Sequence, residues 1–453
     1  MKTFTVRDVV EATGGAYFGP QDALDRQVTF VTSDSRQVRE GALFVAYPCA
    51  RVDGHDFMAA CIRGGAACCL SQREPKPEET PCVYVGSTLT AVGALAAWHR
   101  SRFDIPVVGI TGSVGKTTTK EMIAAVLSAR FNTHKTEKNF NNEIGVPQTL
   151  LKLDDAHQVS VVEMGISNFG EMRRLTHMVR PNIAVISVIG DAHLEFLGDR
   201  AGVLRAKGEI FESMKPDDLA VLNGDDELLR GYRPNVRRLT YGMRPDNDFV
   251  AEAVENLGAD GIRCTIVHHG QRFEARIPAF GVHMVYAALA AAAVGWSLGM
   301  TDGEIARGVA GYHTVGDRAN VHRGAFVTVV SDCYNANPSS VKAAVDSMRM
   351  LPGRKVCILG DMLELGERSP QMHYETGAYA AKSGMALVLS CGALGRHMFE
   401  GARDAGAAAY WYEDKAALLE ALPELIQKGD AVLVKASRGM AFEEITQRLT
   451  SME

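Results

Sequence analysis

The sequence predicts an α/β protein of three domains, in which a central parallel sheet carries helices on both faces. From residue 105 onward, short apolar runs alternate with helical stretches, a pattern typical of parallel sheets covered by helices. A glycine-rich turn joins the first of these runs to the helix that follows it, as in phosphate-binding P-loops. The chain has 453 residues, which suits two to four domains at roughly 150 residues each.

The domain boundaries follow from breaks in this pattern. A helical stretch, Ala91 to Arg102, ends just before Asp104-Ile105-Pro106, and a second run of strands and helices begins near Tyr312. The predicted domains are therefore 1–103, 104–311 and 312–453. The predicted strands are 107–110, 159–162, 183–189 and 219–222 in the central domain, and 326–330, 356–359, 387–389 and 431–434 in the last. The predicted helices include 117–129, 339–350 and 415–428.

Composition excludes several classes of protein. Apolar residues make up 46% and charged residues 23% of the chain, which argues against a disordered or fibrous protein. The net charge of −6 supplies no basic field, so no nucleic-acid partner is expected. The longest apolar stretch, Met284 to Trp296, falls short of the ~20 residues that a membrane span needs.

The cysteines and the N-terminal residues favour a cytoplasmic protein. The segment MKTFTVRDVVEATGG carries Arg7 and Asp8 where a secretory signal would have an apolar core. The nine cysteines include no CxxC pair, which favours reduced thiols over disulfides or a zinc site. Cys61, Cys68 and Cys69 lie in an apolar setting that indicates core packing.

The glycine-rich turn GITGSVGKTT, residues 109–118, predicts nucleotide binding. Backbone N–H groups in such a turn converge on phosphate oxygens, and the following helix adds the positive end of its dipole. Lys116 would neutralise phosphate charge and the Thr117 hydroxyl would ligate Mg²⁺. Ile110 replaces the first glycine of the general motif, and the pattern leaves ATP and GTP both open. The predicted nucleotide-binding residues are Gly112, Ser113, Gly115, Lys116, Thr117 and Thr118.

Two further side chains are candidate metal ligands. Glu163 ends the strand VSVVE and His193 follows the strand IAVISVI. Ligand sites of parallel sheets lie beyond the carboxyl ends of their strands, where a nucleotide held by the glycine turn could be reached. Mg²⁺ needs only one or two carboxylates besides phosphates and waters. Each residue alone could be a structural polar group, but the phosphate loop favours both as ligands.

Several segments, taken in order, resemble the Mur ligases, ATP-dependent amide ligases of peptidoglycan assembly. They are TGSVGKTT (111–118), KTEKNFNNEIGVPQTLL (135–151), VEMGISNFGE (162–171), DAHLEFLG (191–198) and RAKGEIF (205–211). Others are similar to the branch whose substrates are UDP-N-acetylmuramoyl-tripeptide and D-alanyl-D-alanine. These are DSRQVREGALFVA with DGHDF (34–46, 53–57), SDCYNANPSSV (331–341), ILGDMLELGE (358–367) and KASRGM (435–440).

The resemblance implies a ligase of peptidoglycan precursor synthesis, hence of cell-wall biogenesis, cell shape and cell division. A substrate carboxylate would attack the γ-phosphate of ATP, and an amine would then displace phosphate from the acyl phosphate. The first step joins two anions, which explains a need for Lys116 and Mg²⁺. The first domain would bind the UDP-sugar, and a Rossmann-like C-terminal domain would close over ATP and the amine. Only small-molecule partners and a monomeric chain are expected.

The resemblance also assigns roles to individual residues. Thr117 and Glu163 would hold one Mg²⁺, and His193 with a carbamylated Lys207 would hold a second. Lys116 would join His193 and Lys207 in catalysis. From the last domain, Arg318 would reach the γ-phosphate, as a catalytic residue, and Asp332 the ribose. The substrate residues implied are Ser35 and Arg36 for the uridine diphosphate, and Asn141 and Asn142 for the muramoyl-peptide.

The chain also departs from the family pattern. Tyr47-Pro-Cys49-Ala-Arg51 stands where the family has a glycine–basic–acidic loop, and Met284 and Ala287 replace two asparagines expected near the adenine. These changes leave two alternatives open. One is a related ligase that joins a different acid and amine, and the other is an ATP-binding scaffold of low turnover.

Overall fold

The computed structural model describes residues 1–49, 52–316 and 318–452. Within these residues the main sheets lie one in each of three consecutive parts of the chain, called here the first, central and last segments (1–103, 104–311 and 312–453). Parallel strands alternate with helices in all three, so the predicted α/β class is confirmed. The boundaries themselves stay predictions.

The sheet of the first segment has the strand order β2-β7-β6-β5-β4, with β2 antiparallel to β7 and the other pairs parallel. Strands β1 and β3 form a separate antiparallel pair. The strands are β1 (Phe4–Thr5), β2 (Ala16–Phe18), β3 (Gln27–Val28), β4 (Phe30–Thr32), β5 (Ala42–Val45), β6 (Ala66–Ser71) and β7 (Cys82–Tyr84), and the helices are α1 (Val6–Thr13), α2 (Met58–Arg63) and α3 (Thr88–Ser101).

The central sheet has the order β16-β15-β14-β13-β12-β11-β8-β10-β9, parallel except for the antiparallel pairs β14–β15 and β15–β16 at one edge. Its strands are β8 (Val107–Thr111), β9 (Thr133–Lys135), β10 (Val159–Glu163), β11 (Ile183–Ile186), β12 (Leu219–Asn223), β13 (Arg237–Gly242), β14 (Phe249–Asn256), β15 (Ile262–His268) and β16 (Gln271–Ile277). Its helices are α4 (Lys116–Ser128), α5 (Gly145–Leu150), α6 (Glu171–Val179), α7 (Leu194–Leu197), α8 (Arg200–Gly208), α9 (Glu227–Gly231), α10 (Met284–Ser297) and α11 (Asp302–Ala310).

The last sheet has the order β17-β18-β22-β19-β20-β21, parallel except for the β17–β18 hairpin. Its strands are β17 (Asn320–Arg323), β18 (Thr328–Asp332), β19 (Lys355–Gly360), β20 (Leu387–Cys391), β21 (Ala408–Tyr412) and β22 (Ala431–Lys435). Its helices are α12 (Pro338–Met348), α13 (Ser369–Lys382), α14 (Gly395–Asp404), α15 (Lys415–Leu425) and α16 (Glu443–Thr450).

Alternation along the central strands divides the core into two layers. On β8, Val108 and Ile110 face a core built with α4, α10 and α11, whereas Val107 faces the opposite core. That second core also contains Leu95 of α3, so one apolar cluster joins the first segment to the central sheet. Side chains of a strand alternate between faces, and helices therefore cover both faces as predicted.

The structure corrects several predicted element bounds. The strand predicted at 326–330 begins at Thr328, because the chain turns at Gly324, whose N–H donates to the Val327 carbonyl, to form the β17–β18 hairpin. The strand predicted at 183–189 ends at Ile186, where Ser187 leaves the sheet to contact the phosphate loop. The antiparallel edge strands β15 and β16 were not predicted from the sequence.

The apolar helix α10 is part of this core. Among the described residues, no helix is both long and apolar enough to cross a membrane. Eight cysteines other than Cys49 are buried as free thiols, which confirms the core packing predicted for Cys61, Cys68 and Cys69.

Candidate functional site

A cleft of about 1110 Å³ lies between the central and last segments. Parallel strands of both sheets point their carboxyl ends into it, and the glycine turn predicted to bind phosphate forms part of its wall. Crevices at such strand ends are the usual ligand sites of open α/β sheets. Of the predicted site residues, the cleft is lined by Ser113, Gly115, Lys116, Thr117, Thr118, Asn141, Asn142, Glu163, His193, Arg318 and Asp332.

The glycine turn is held in a fixed shape by the neighbouring strand end. Gly112 and Gly115 have φ of 148° and 80°, which side-chain-bearing residues rarely adopt. Ser187 Oγ donates to the Val114 carbonyl at 2.6 Å, and Ser113 N donates to the Val188 carbonyl at 2.8 Å. Residue 112 has no room for a Cβ, which would collide with Ser187 Oγ. The first turn of α4 and the remaining N–H groups of the loop therefore border the cleft.

Thr117 and Glu163 meet at the base of the cleft. Thr117 Oγ1 donates to Glu163 Oε1 at 3.0 Å, and Asn141 Nδ2 donates to the same oxygen at 2.8 Å. Glu163 is 1% exposed, and its Oε2 has no hydrogen-bond partner among the described residues. The nearest cation recorded for that oxygen is Lys120 Nζ, at 3.8 Å.

Lys116, His193 and Lys207 are basic side chains close enough to influence one another, although Lys207 is not among the residues that line the cleft. Lys116 Nζ donates to the Gly112 carbonyl at 2.8 Å. Lys207 is fully buried on α8, and its Nζ finds no hydrogen-bond partner in the described part of the chain. Burial, followed by the charge of Lys116, holds the pKa of Lys207 well below its ordinary value. Burial also lowers the pKa of His193, helped by the charges of Lys207 and Lys116 and opposed by Glu364.

The last segment contributes a second set of charges to the cleft. Lys435, 2% exposed at the end of β22, donates to Asp332 Oδ2 at 2.5 Å and to the Asn335 carbonyl at 2.9 Å. Arg318 lies over the Tyr334 ring at 3.7 Å from the guanidinium carbon to the ring centre. The charge of Arg318 also lowers the pKa of Lys116, although burial is the larger cause. The glycine turn and the last segment thus both contribute charged side chains to the same cleft.

Some predicted site residues lie elsewhere or are already engaged. Ser35 and Arg36 occupy a short 3₁₀ turn outside the residues that line the cleft, and the Arg36 side chain is 87% exposed. Arg36 forms a two-pronged pair with Asp34, both contacts at 2.8 Å. Asn142 Oδ1 accepts the Gly145 N–H at 2.9 Å, at the first residue of α5, and Asn142 also lines the cleft. This contact fits the turn-forming interpretation, and the substrate role of Asn142 stays a prediction.

The positions that depart from the family pattern are only partly in the cleft. Met284 and Ala287 are buried at the start of α10, and both line the cleft. Between them Tyr286 donates its hydroxyl to Asp225 at 3.0 Å. Cys49 is exposed, and the adjacent Ala50 and Arg51 lie outside the described residues.

Three residues of the site were not predicted from the sequence. Lys120 is fully buried behind Glu163, and its position one turn after Lys116 on α4 was the available signal. Lys435 ends a buried strand that neighbours the strand ending in Asp332, so the strand-end argument applied to Glu163 could have found it. Glu364 has no local signal, because it meets His193 only through the packing of two segments.

Comparison with known proteins gives a consistent result over the whole chain. Three family models match it in sequence order. They are described as the catalytic domain of the Mur ligase family (residues 27–99), the Mur ligase middle domain (110–295) and the Mur ligase glutamate ligase domain (317–438).

Curated relatives and solved structures are similar over nearly their full length. The UDP-N-acetylmuramoyl-tripeptide–D-alanyl-D-alanine ligase of Bacillus subtilis is 36% identical, with 98% of each chain covered. The enzyme of that name in Escherichia coli is 35% identical, with 99% of each chain covered. MurF from Acinetobacter baumannii has a TM-score of 0.93 at 30% identity and full coverage of both chains. MurF from Thermotoga maritima, solved in complex with ADP, has a TM-score of 0.84 at 29% identity over 93% of this chain and 97% of that one. This chain therefore belongs to the Mur ligase family of enzymes.

Proposed function

We propose that this enzyme adds D-alanyl-D-alanine to UDP-N-acetylmuramoyl-tripeptide at the expense of ATP, in peptidoglycan precursor synthesis. The observation that carries the proposal is a pair of buried polar atoms that lack a hydrogen-bond partner among the described residues and lie near the glycine-rich turn. They are Glu163 Oε2 and Lys207 Nζ. Buried polar atoms are costly to leave unpaired, so a ligand is the natural partner for such a set.

The chemistry of these groups fits divalent cations held between protein and phosphate. Glu163 supplies a carboxylate oxygen and His193 an imidazole nitrogen, and the Thr117 hydroxyl lies 3.0 Å from Glu163. Thr117 and Glu163 would hold one Mg²⁺, and His193 and Lys207 the second. Bound Mg²⁺ would neutralise phosphate charge and so allow a carboxylate to approach the γ-phosphate.

Lys207 fits this role only after modification. A buried ammonium beside Lys116 would repel a cation, whereas its neutral amine can add to carbon dioxide, forming an N–C bond and releasing one proton. The resulting carbamate is an anion with two oxygen ligands. The full burial of Lys207 and the unpaired state of its Nζ within the described residues support this modification.

The remaining groups would bind ATP and the anionic transition states. N–H groups of the loop, and the start of α4, would receive the phosphates while Lys116 leaves the Gly112 carbonyl to pair with them. Asp332, held by Lys435, would accept ribose hydroxyls, and Arg318 would approach the γ-phosphate from the last segment. Closing of the cleft would exclude water from the acyl phosphate until the amine attacks it.

The substrates also imply a place of action. A nucleotide-linked acid, ATP and a dipeptide are small cytoplasmic molecules, and the buried free thiols suit a reducing compartment. We therefore place the enzyme in the cytoplasm and expect it to act as a monomer, because the proposed site is drawn from one chain.

The decisive experiment measures phosphate release from ATP and Mg²⁺ with UDP-muramoyl-tripeptide, in the lysine and diaminopimelate forms, with and without D-alanyl-D-alanine. We expect release that needs both substrates and a UDP-muramoyl-pentapeptide product by mass. Release that needs the acid but a different amine would replace the proposed dipeptide, and ATP binding without release would contradict the ligase proposal.

The carbamate is tested by a separate measurement. Enzyme equilibrated with ¹³C-labelled carbon dioxide should show a carbamate carbon resonance that is lost in Lys207→Arg. The buried Lys120 provides the matched control, since Lys120→Arg should keep the resonance. A wild-type spectrum without this signal at saturating carbon dioxide would contradict the modification.

A further inference from the structure

His193 and Glu364 both have a left-handed backbone conformation, which is uncommon for residues other than glycine. They lie opposite each other across the cleft. His193 has φ of 56° and Glu364 has φ of 62°, and Glu364 Oε2 lies 2.8 Å from His193 Nδ1. Such a conformation is unfavourable for a residue that carries a side chain and persists where the surrounding structure imposes it, most often at functional sites. His193 belongs to the central segment and Glu364 to the last, so the contact joins the two.

Glu364 is carried by a turn that is fixed at several points. The Met362 N–H donates to His373 Nε2 at 2.9 Å, and the Leu363 N–H donates to Ser437 Oγ at 3.0 Å. On the other side, the turn lies near Glu195, two residues after His193: a Cβ added at Gly366 would lie 3.5 Å from Glu195 Cα. The backbone before Glu364 is therefore anchored to its own segment by two hydrogen bonds.

The chemistry of the imidazole ring indicates what the contact between Glu364 and His193 can do. A neutral imidazole has one N–H and one lone pair, and the partner of one nitrogen decides which nitrogen can bind a cation. Histidines that ligate metals almost always donate their other N–H to a carboxylate, a carbonyl or water. Here Glu364 Oε2 lies 2.8 Å from His193 Nδ1, close enough to accept an N–H from that nitrogen.

We propose that Glu364 is a positioning residue that accepts the Nδ1–H of His193 and so presents Nε2 as the nitrogen that binds the cation. This inference rests on the proposed function for the presence of a cation at His193. Because Glu364 belongs to the last segment, His193 is oriented only when that segment lies against the central one. Cation binding and closing of the cleft thus favour each other, as linkage requires.

The first test reads the tautomer of His193 directly. Full-length protein with ¹⁵N-labelled histidine, in Mg²⁺ and ADP, is examined by long-range proton–nitrogen correlation, with the signal assigned by His193→Gln. We expect a protonated Nδ1 and an unprotonated Nε2 in the wild type and in Glu364→Gln, whose amide oxygen can still accept. Glu364→Ala should lose this preference. A wild type with protonated Nε2, or an alanine variant with an unchanged tautomer, would overturn the proposal.

The second test measures Mn²⁺ affinity in the presence of ADP by electron paramagnetic resonance. Loss of an outer partner of a metal ligand costs about 10- to 100-fold in affinity, and we expect that loss in Glu364→Ala and a smaller one in Glu364→Gln. The matched control is Glu367→Ala, an exposed acid three residues on, which should leave affinity unchanged. Equal affinities for wild type and Glu364→Ala would contradict the role of Glu364.

The two proposals can fail separately. If the wild type shows the expected tautomer and Mn²⁺ affinity but makes no pentapeptide product, the proposed substrates are wrong and the role of Glu364 stands. If the product forms while the tautomer is insensitive to Glu364→Ala, the role of Glu364 is wrong and the proposed function stands. Thermal unfolding of each variant shows that a lost signal does not come from a lost fold.

Discussion

Thr117 and Glu163 are joined by a hydrogen bond of 3.0 Å between the first turn of α4 and the carboxyl end of β10. The two residues come from adjacent parallel strand–helix units, and the pairing of β8 with β10 sets their separation. A hydroxyl and a carboxylate are thereby held together at the phosphate loop, where the cation of the proposed reaction would lie.

Replacing the Thr117 hydroxyl tests that relationship. Thr117→Val keeps the shape but removes the oxygen, and we expect kcat to fall about 10²- to 10³-fold, the usual cost of one preorganised group at developing charge. Thr117→Ser should retain most activity because it keeps the hydroxyl. Steady-state kinetics at saturating ATP measures kcat for each variant. An unchanged kcat in the valine variant would show that Thr117 is not part of the cation site.

Lys120 should be a major contributor to stability. Its buried ammonium contacts the Thr136 carbonyl and Glu121, both at 2.8 Å. Lys120→Met would leave the buried Glu121 without this partner, and we expect a loss of about 3–5 kcal/mol in the free energy of unfolding by urea.

Lys135 supplies the control for that measurement, because it also pairs with Glu121 but its side chain is 44% exposed. Exposed pairs contribute about 0–1 kcal/mol, so Lys135→Met should change stability little. Equal effects of the two substitutions would show that burial is not the deciding factor.

Gly112→Ala should weaken nucleotide binding. The added Cβ would collide with Ser187 Oγ, and φ at this position is 148°. Relief of the collision would distort the loop, and strain of about 1–3 kcal/mol corresponds to a loss in ATP affinity of roughly 5- to 150-fold. Calorimetric titration with ATP measures it. Gly86→Ala, where a Cβ meets nothing within 4 Å, should bind ATP normally.

His99 should make stability depend on pH. Burial lowers the pKa of His99 from about 6.5 to about 4, and its Nε2 lies 3.1 Å from the Leu153 carbonyl between the first and central segments. As pH falls, the unfolded chain binds this proton before the folded one. The stability is therefore full above about pH 6.5 and is lost as pH falls toward 4.

Urea unfolding at pH 7.5 and pH 5.0 measures this effect. Between pH 7.5 and pH 5.0, the free energy of unfolding of His99→Gln should fall by about 2 kcal/mol less than that of the wild type. His177→Gln alters an exposed histidine on α6 and should follow the wild type. A His99 variant with the wild-type pH dependence would contradict the assignment.

The local sequence was sufficient to predict the glycine-rich turn, because all the residues that form it are contiguous. Glycines, Lys116 and Thr117 fall within one strand–turn–helix unit, whose geometry is set by backbone conformation. The positions of Glu163 and His193 could also be predicted, because the carboxyl ends of parallel strands lie along one edge of a sheet. The assignment of Lys207 came from resemblance alone, because a lysine on a helix gives no local sign that it is buried.

The sequence by itself determined the α/β class, four of the nine described strands of the central sheet, four of the six of the last sheet, and the glycine-rich turn that borders the cleft. Only the tertiary structure decided that Lys120 stands behind Glu163 and that Glu364 reaches His193. The physical reason is how far apart along the chain the interacting residues lie. Strands, turns and helix starts depend on neighbouring residues, whereas the burial of a charge and its partner depend on how distant segments pack together.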